Sequence, residues 1–168
     1  MHSIKRPYAV SQDIHILLAQ WATEYGFKIP NDKFFFDLRS NFSHMMTQLF
    51  PNFIYLEAEH LKDGLCTIIK KEEIETLSLD QIYFSGDLNL SLTRTVDADL
   101  QDLGISQRNG ALTLKQQLGK VMSTGVKKLA LVDDVIFTGS LLSEVRSKLE
   151  KIGIHIPVVY TYIGVGLG

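Results

Sequence analysis

Leu129-Ala130-Leu131-Val132-Asp133-Asp134-Val135-Ile136-Phe137-Thr138-Gly139-Ser140-Leu141-Leu142 passes from an apolar run through two acids to a small polar turn. Lys128 to Val132 reads as a buried strand and residues 133 to 140 as a loop. Leu141 to Lys151 reads as a helix with Leu142, Val145 and Leu149 on one face and Gly153 past its end. Upstream, Thr113 and Gln116 have the spacing of a capping box. They open a helix that turns Leu114, Leu118 and Val121 inward, with Gly125 just beyond it. Downstream, PVVYTYIGV reads as a final strand. Helix, strand, loop, helix and strand over residues 113 to 165 predict an α/β fold with a mostly parallel sheet and right-handed crossovers. Ligands of such sheets bind at the carboxyl ends of the strands, which directs attention to the loop after Val132.

The loop has the chemistry of a binding site. Adjacent carboxylates at a strand tip can accept hydrogen bonds from vicinal hydroxyls, or hold a divalent cation directly or through its waters. Thr138-Gly139-Ser140 at a helix start offers backbone N–H donors, two hydroxyls and the positive end of the helix dipole, a combination suited to phosphate. A diol position and a phosphate position on one turn match the two ends of a ribose 5-phosphate.

Residues 129 to 142, above all LVDDVIFTGSLL, closely resemble the signature of the type I phosphoribosyltransferases, which bind 5-phosphoribosyl 1-pyrophosphate (PRPP). The resemblance implies a three-layer sandwich with helices on both sides of the sheet, and Mg²⁺ as cofactor. It implies that Asp133 and Asp134 hold the ribose hydroxyls as the catalytic pair, while Phe137, Thr138, Gly139, Ser140 and Leu141 wrap the 5-phosphate. Phe137 and Leu141 depart from the residues many members carry there, but the backbone donors survive both changes. Members also have a pyrophosphate loop after an earlier strand, and Ser85 and Gly86 in IYFSGDLNLS stand at that distance. A mobile loop covers the reacting centre in the family. The resemblance makes residues 92 to 111, with Arg94 and Arg108, the candidate for it here.

Elsewhere, Ile14, Leu17, Leu18, Trp21 and Tyr25 predict an amphipathic helix ending at Gly26. KFFFDL reads as a strand, and Phe42, Met45, Met46 and Leu49 as a short helix stopped at Pro51. FIYLE reads as a strand, and LCTIIK as a further strand after the Asp63-Gly64 turn. Residues 72 to 79 fit either a helix or a polar connection. Gln81 to Phe84 reads as a short strand followed by a polar stretch. Nothing repeats and no linker interrupts the chain, so residues 1–168 read as one domain, with an aromatic-rich part to about residue 80 as a candidate acceptor hood and a core from about 81. Cys66 reads as a buried small hydrophobe, and Glu57, Glu59 and His60 as a solvated strand edge. Phe36-Asp37-Leu38-Arg39 lacks the second carboxylate of a phosphohydrolase motif.

The 17 basic and 19 acidic side chains give a net charge of -2, which argues against a broad phosphate-neutralising face for nucleic acid. No apolar run is long enough for a membrane span, and the start lacks the apolar core of a secretory signal. These features read as cytoplasmic. The expected partner is PRPP or a nucleoside monophosphate, with a homodimer as the protein association considered. Three functions compete: phosphoribose transfer, ribose-phosphate sensing without turnover, and metal-dependent phosphate release by the acidic pair.

Overall fold

The computed structural model describes residues 8–11, 14–81, 84–99, 101–136 and 138–164. Its contacts divide the chain into two compact units, residues 1–61 and 62–168, so the division falls upstream of the composition change near residue 80.

In the first unit, β1 (Tyr8–Ser11) pairs in parallel with β2 (Phe53–Leu56), and between them run α1 (Ile14–Tyr25) and α2 (Asp32–Leu49). Helix α1 ends as expected, at Gly26 with φ +72°. KFFFDL, however, is the start of α2 and not a strand. Asn31 caps it by accepting from the Phe34 N–H at 3.0 Å, and the Lys33–Asp37 pair at 2.6 Å spans one turn. Phe35 and Met46 are buried while Phe34 and Phe36 are exposed, an arrangement set by the helical period of the buried face. The expected short helix is the second half of the same element. Phe42 meets Phe53 edge-on at 6.1 Å, which packs α2 against β2.

Helix α3 (Ala58–Ile69) crosses the division and replaces the strand expected at LCTIIK. Leu65 and Ile69, four residues apart, are buried together, whereas Cys66 between them is partly exposed. Glu57 and His60 lie at the start of this helix, where they form an exposed pair at 3.6 Å and not a strand edge.

The second unit contains a four-stranded parallel sheet in the order β4-β3-β7-β8, from β3 (Thr76–Ser78), β4 (Leu88–Asn89), β7 (Ala130–Ile136) and β8 (Val159–Gly164). Helices cover both faces. On one face, α4 (Leu114–Ser123) and α5 (Ser140–Lys151) bring Val121, Leu142, Val145 and Leu149 onto Leu77, Leu129 and Leu131. On the other, Leu65 and Ile69 of α3 meet Val132, with Tyr160, Tyr162 and Phe84 beside them. Each leucine so enclosed contributes about 1.5–3 kcal/mol. The capping box at Thr113 and Gln116 is formed.

Three details differ from the sequence expectation. The sheet position given to Gln81–Phe84 belongs to β3, inside the stretch left open between helix and connection; residues 82 and 83 lie outside the described residues. Strand β7 continues through Asp133 to Ile136, pairing Asp133 with Thr161, so the acidic pair belongs to the strand's end and not to a loop. The polar stretch contains an antiparallel hairpin of β5 (Leu92–Val96) and β6 (Asp102–Gln107). Its register slips between Thr95 and Val96, leaving Leu103 as the extra residue of a bulge beside Gly104, whose φ is +94°. Asp97 ties the tip by accepting from the N–H groups of Asp99 and Gln101. Among the described residues, no helix is long and apolar enough to cross a membrane.

Candidate functional site

The chain leaves β3 toward β4 on one side and returns to β7 on the other, so β3 and β7 flank the point where the strand order reverses. Crevices at such points are where open α/β sheets bind ligands. A cleft of about 230 Å³ lies there, lined by Asp133, Asp134, Thr138, Gly139, Ser140 and Leu141 together with Arg94 and Arg108. Residues separated by more than forty positions in sequence thus share one cavity. Phe137 lies outside the described residues.

Each lining group has a local cause. Asp133 is only 6% exposed, and its carboxylate accepts from the Asp134 N–H at 3.1 Å. Burial pushes its pKa up to about 7; the carboxylates of Asp134 and Asp80 push the same way, while the Asp134 N–H and Arg108 oppose them. Asp134 is half-buried; its carboxylate accepts from the Val135 N–H at 2.7 Å, and its carbonyl accepts from the Thr161 hydroxyl at 3.1 Å. Gly139 stands at the N-cap of α5 with φ +74°, a left-handed backbone position that favours glycine, and has no side chain with which to cap the helix. The first turn of α5 faces the cleft instead. The Thr138 hydroxyl donates to Ser140 Oγ at 3.1 Å and accepts from the Ser140 N–H at 3.3 Å, which gathers both hydroxyls at the helix start.

The two arginines come from the hairpin. Arg94 lies on β5, and Arg108 follows β6 with its Nε donating to the Leu92 carbonyl at 2.8 Å. Leu92 is 3% exposed and belongs to the core, so the Arg108 guanidinium is held from a fixed point. The cleft therefore has an acidic floor and a cationic wall, an arrangement complementary to a ligand with hydroxyls at one end and an anion at the other.

Ser85 and Gly86 are not in this cleft. They line a separate cavity of about 450 Å³ with Cys66, Ile69 and Lys70. Gly86 has a packing role: a Cβ there would stand 2.8 Å from the Leu88 carbonyl oxygen, 3.0 Å from the Ser78 nitrogen and 3.1 Å from the Thr76 carbonyl oxygen. Asp87 accepts from both the N–H and the hydroxyl of Thr76 at 2.8 Å, bonds that hold its carboxyl below the usual range. Together these contacts fasten the turn to β3.

Two residues went unmarked in the sequence. Asp80, 5% exposed at the end of β3, acts on Asp133 across the strand boundary. Placing the strand at Gln81–Phe84 hid it. Gln117, buried on α4, was overshadowed by Gln116 of the capping box. No protein-family model, curated protein or solved structure matches the chain.

Proposed function

We infer that the cleft binds a ribose 5-phosphate group, as PRPP or a nucleoside monophosphate with Mg²⁺, and that the chain transfers phosphoribose to a nitrogen acceptor in the manner of the type I phosphoribosyltransferases. The observation that carries this reading is the meeting of Asp133 and Asp134 with Thr138, Ser140, Arg94 and Arg108 in one cleft at the strand-order reversal. Its volume of about 230 Å³ lies below the ~300–1,000 Å³ usual for drug-sized ligands, which favours a sugar phosphate as the enclosed part.

Among the described residues, no three His, Cys, Asp or Glu side chains gather to hold a metal ion. Mg²⁺ is commonly bound through one or two carboxylates plus the phosphates of its substrate, and Asp133 and Asp134 fit that share of the coordination. When bound, it supplies neutralisation of charge on a departing pyrophosphate. The protein's part is positioning. The carboxylates orient the ribose hydroxyls, the first turn of α5 holds the 5-phosphate, and the arginines hold a second anionic group. The acceptor nitrogen then bonds to ribose C1 as the bond from C1 to the pyrophosphate oxygen breaks. This route uses no protein nucleophile.

A second reading, binding without turnover, is favoured by the placement of Ser85 and Gly86 outside the cleft. The two readings separate in one assay: acceptor-dependent release of pyrophosphate from PRPP supports transfer, and PRPP binding without release supports a sensor. Both require the acidic pair. Asp133→Asn combined with Asp134→Asn is expected to abolish ribose 5-phosphate binding in isothermal titration while the circular dichroism spectrum stays native; unchanged affinity would remove both.

A further inference from the structure

Gln117 lies outside the cleft lining, yet its side chain holds the root of the hairpin that carries Arg94 and Arg108. Its Oε1 accepts from the Ser91 N–H at 2.7 Å. Its Nε2 donates to the Leu112 carbonyl at 2.6 Å and to the Ser91 carbonyl at 3.3 Å. Ser91 immediately precedes β5, and Leu112 immediately precedes Thr113 at the N-cap of α4. The Ser91 carbonyl also accepts from the Arg108 N–H at 3.0 Å, and the next residue, Leu92, provides the carbonyl that holds Arg108 Nε. One buried amide, 7% exposed, thus joins the rigid helix α4 to the backbone that presents the arginine. A side chain serving only as packing would not need an amide there, because a buried amide is costly unless both its donor and its acceptor are satisfied.

We propose that Gln117 is a positioning residue for the cleft, fastening Ser91 at the root of the β5–β6 hairpin to α4 so that the Arg108 guanidinium stays in the cleft wall. The consequence for ligands rests on the ribose-phosphate reading; the consequence for Arg108 does not.

The test uses the full chain with Gln117→Met, which keeps length but removes the hydrogen bonds, and Gln117→Glu, which keeps an acceptor for the Ser91 N–H and removes the donors. Nitrogen-15 NMR follows hydrogen exchange at the Arg108 Nε–H without any ligand, and titration calorimetry uses ribose 5-phosphate as probe. In Gln117→Met the Arg108 Nε–H is expected to exchange about tenfold faster than in the wild type, and ribose 5-phosphate to bind about tenfold more weakly, the scale of one charged hydrogen bond. With Arg108→Gln already in place, adding Gln117→Met should not weaken binding further, as expected of two residues acting through one group. If Gln117→Met does not fold, Gln117→Glu is read by the Arg108 exchange alone. Wild-type exchange at Arg108 Nε in a folded variant, whatever its thermal midpoint, overturns the proposal and leaves Gln117 a packing residue. Absence of ribose 5-phosphate binding to the wild type would instead defeat the ribose-phosphate reading, while the Arg108 exchange still decides the role of Gln117.

Discussion

Replacing Asp133 by Asn is expected to stabilise the protein at pH 8 while removing ribose-phosphate binding. In the folded chain the Asp133 carboxyl has a pKa of about 7 against an ordinary 3.8, so folding favours its neutral form. A raised pKa gives a stability contribution that is complete below about 3.8 and is lost as pH rises through about 7. The wild type should therefore lose stability between those values, by up to about 4 kcal/mol from this group. Asn carries no charge to bury, and its amide oxygen can still accept from the Asp134 N–H. Urea unfolding at pH 5 and pH 8 should show a gain of about 2–4 kcal/mol for Asp133→Asn at pH 8. The gain should be less than half as large at pH 5, because only the part of the interval between 3.8 and 5 has then been crossed. In thermal terms the gain at pH 8 is roughly 4–16 °C for a chain of this size. Equal stability of variant and wild type at both pH values would contradict the burial of an ionisable Asp133. This trade of stability for a poised charge is characteristic of binding and catalytic sites.

The second large effect is expected at Gly86. Its absent Cβ would fall within 2.8–3.1 Å of three backbone atoms of β3, β4 and their neighbours, none of which can swing aside like a side-chain tip. Gly86→Ala should cost about 2–4 kcal/mol in urea unfolding, from overpacking against a sheet. Gly64, inside α3, has no atom within 4 Å of the corresponding position. Gly64→Ala should be neutral or stabilising by up to about 1 kcal/mol. A Gly86→Ala protein of wild-type stability would return that glycine to the anion-binding role that the sequence resemblance implies for it.

The contrast between these glycines shows what could be read from residue order. Helices α4 and α5 were legible because Thr113 with Gln116, and Leu142 with Val145 and Leu149, satisfy caps and period within a single turn or face. The parallel relation of β7 and β8 followed from the helix between them. The acidic pair and the Thr138-Gly139-Ser140 turn were legible for the same reason, all lying on one local connection.

What escaped notice depends on distant partners or on competing periods. Three consecutive phenylalanines in KFFFDL mimic a buried strand, and only the Asn31 cap and the separation of Phe35 from exposed Phe34 and Phe36 mark the helix. LCTIIK is apolar throughout, so the helical pair Leu65 and Ile69 was hidden inside the run. Strand β3 is buried yet carries Thr76 and Ser78, whose hydroxyls are satisfied by Asp87 and by the carbonyls of Asp80 and Phe84. Hydropathy alone gives such a strand no weight. The stretch from β4 into the hairpin did leave a signal: Leu88, Leu90 and Leu92 alternate with polar residues, the period of a half-buried strand. Its arginines reach the acidic pair only through tertiary packing, and that juxtaposition now supports the account more directly than the local motif does.

The central claim, a ribose-phosphate site at the ends of β3 and β7, is tested most directly by thermal unfolding of the wild type with PRPP plus Mg²⁺, ribose 5-phosphate, a nucleoside monophosphate or inorganic phosphate. A ligand present at about 100 times its Kd adds about 2.7 kcal/mol, which raises the midpoint by roughly 5–10 °C. The account predicts such a rise with ribose phosphates, greatest with PRPP and Mg²⁺, and little with phosphate alone. An unmoved midpoint with every ribose phosphate would contradict it.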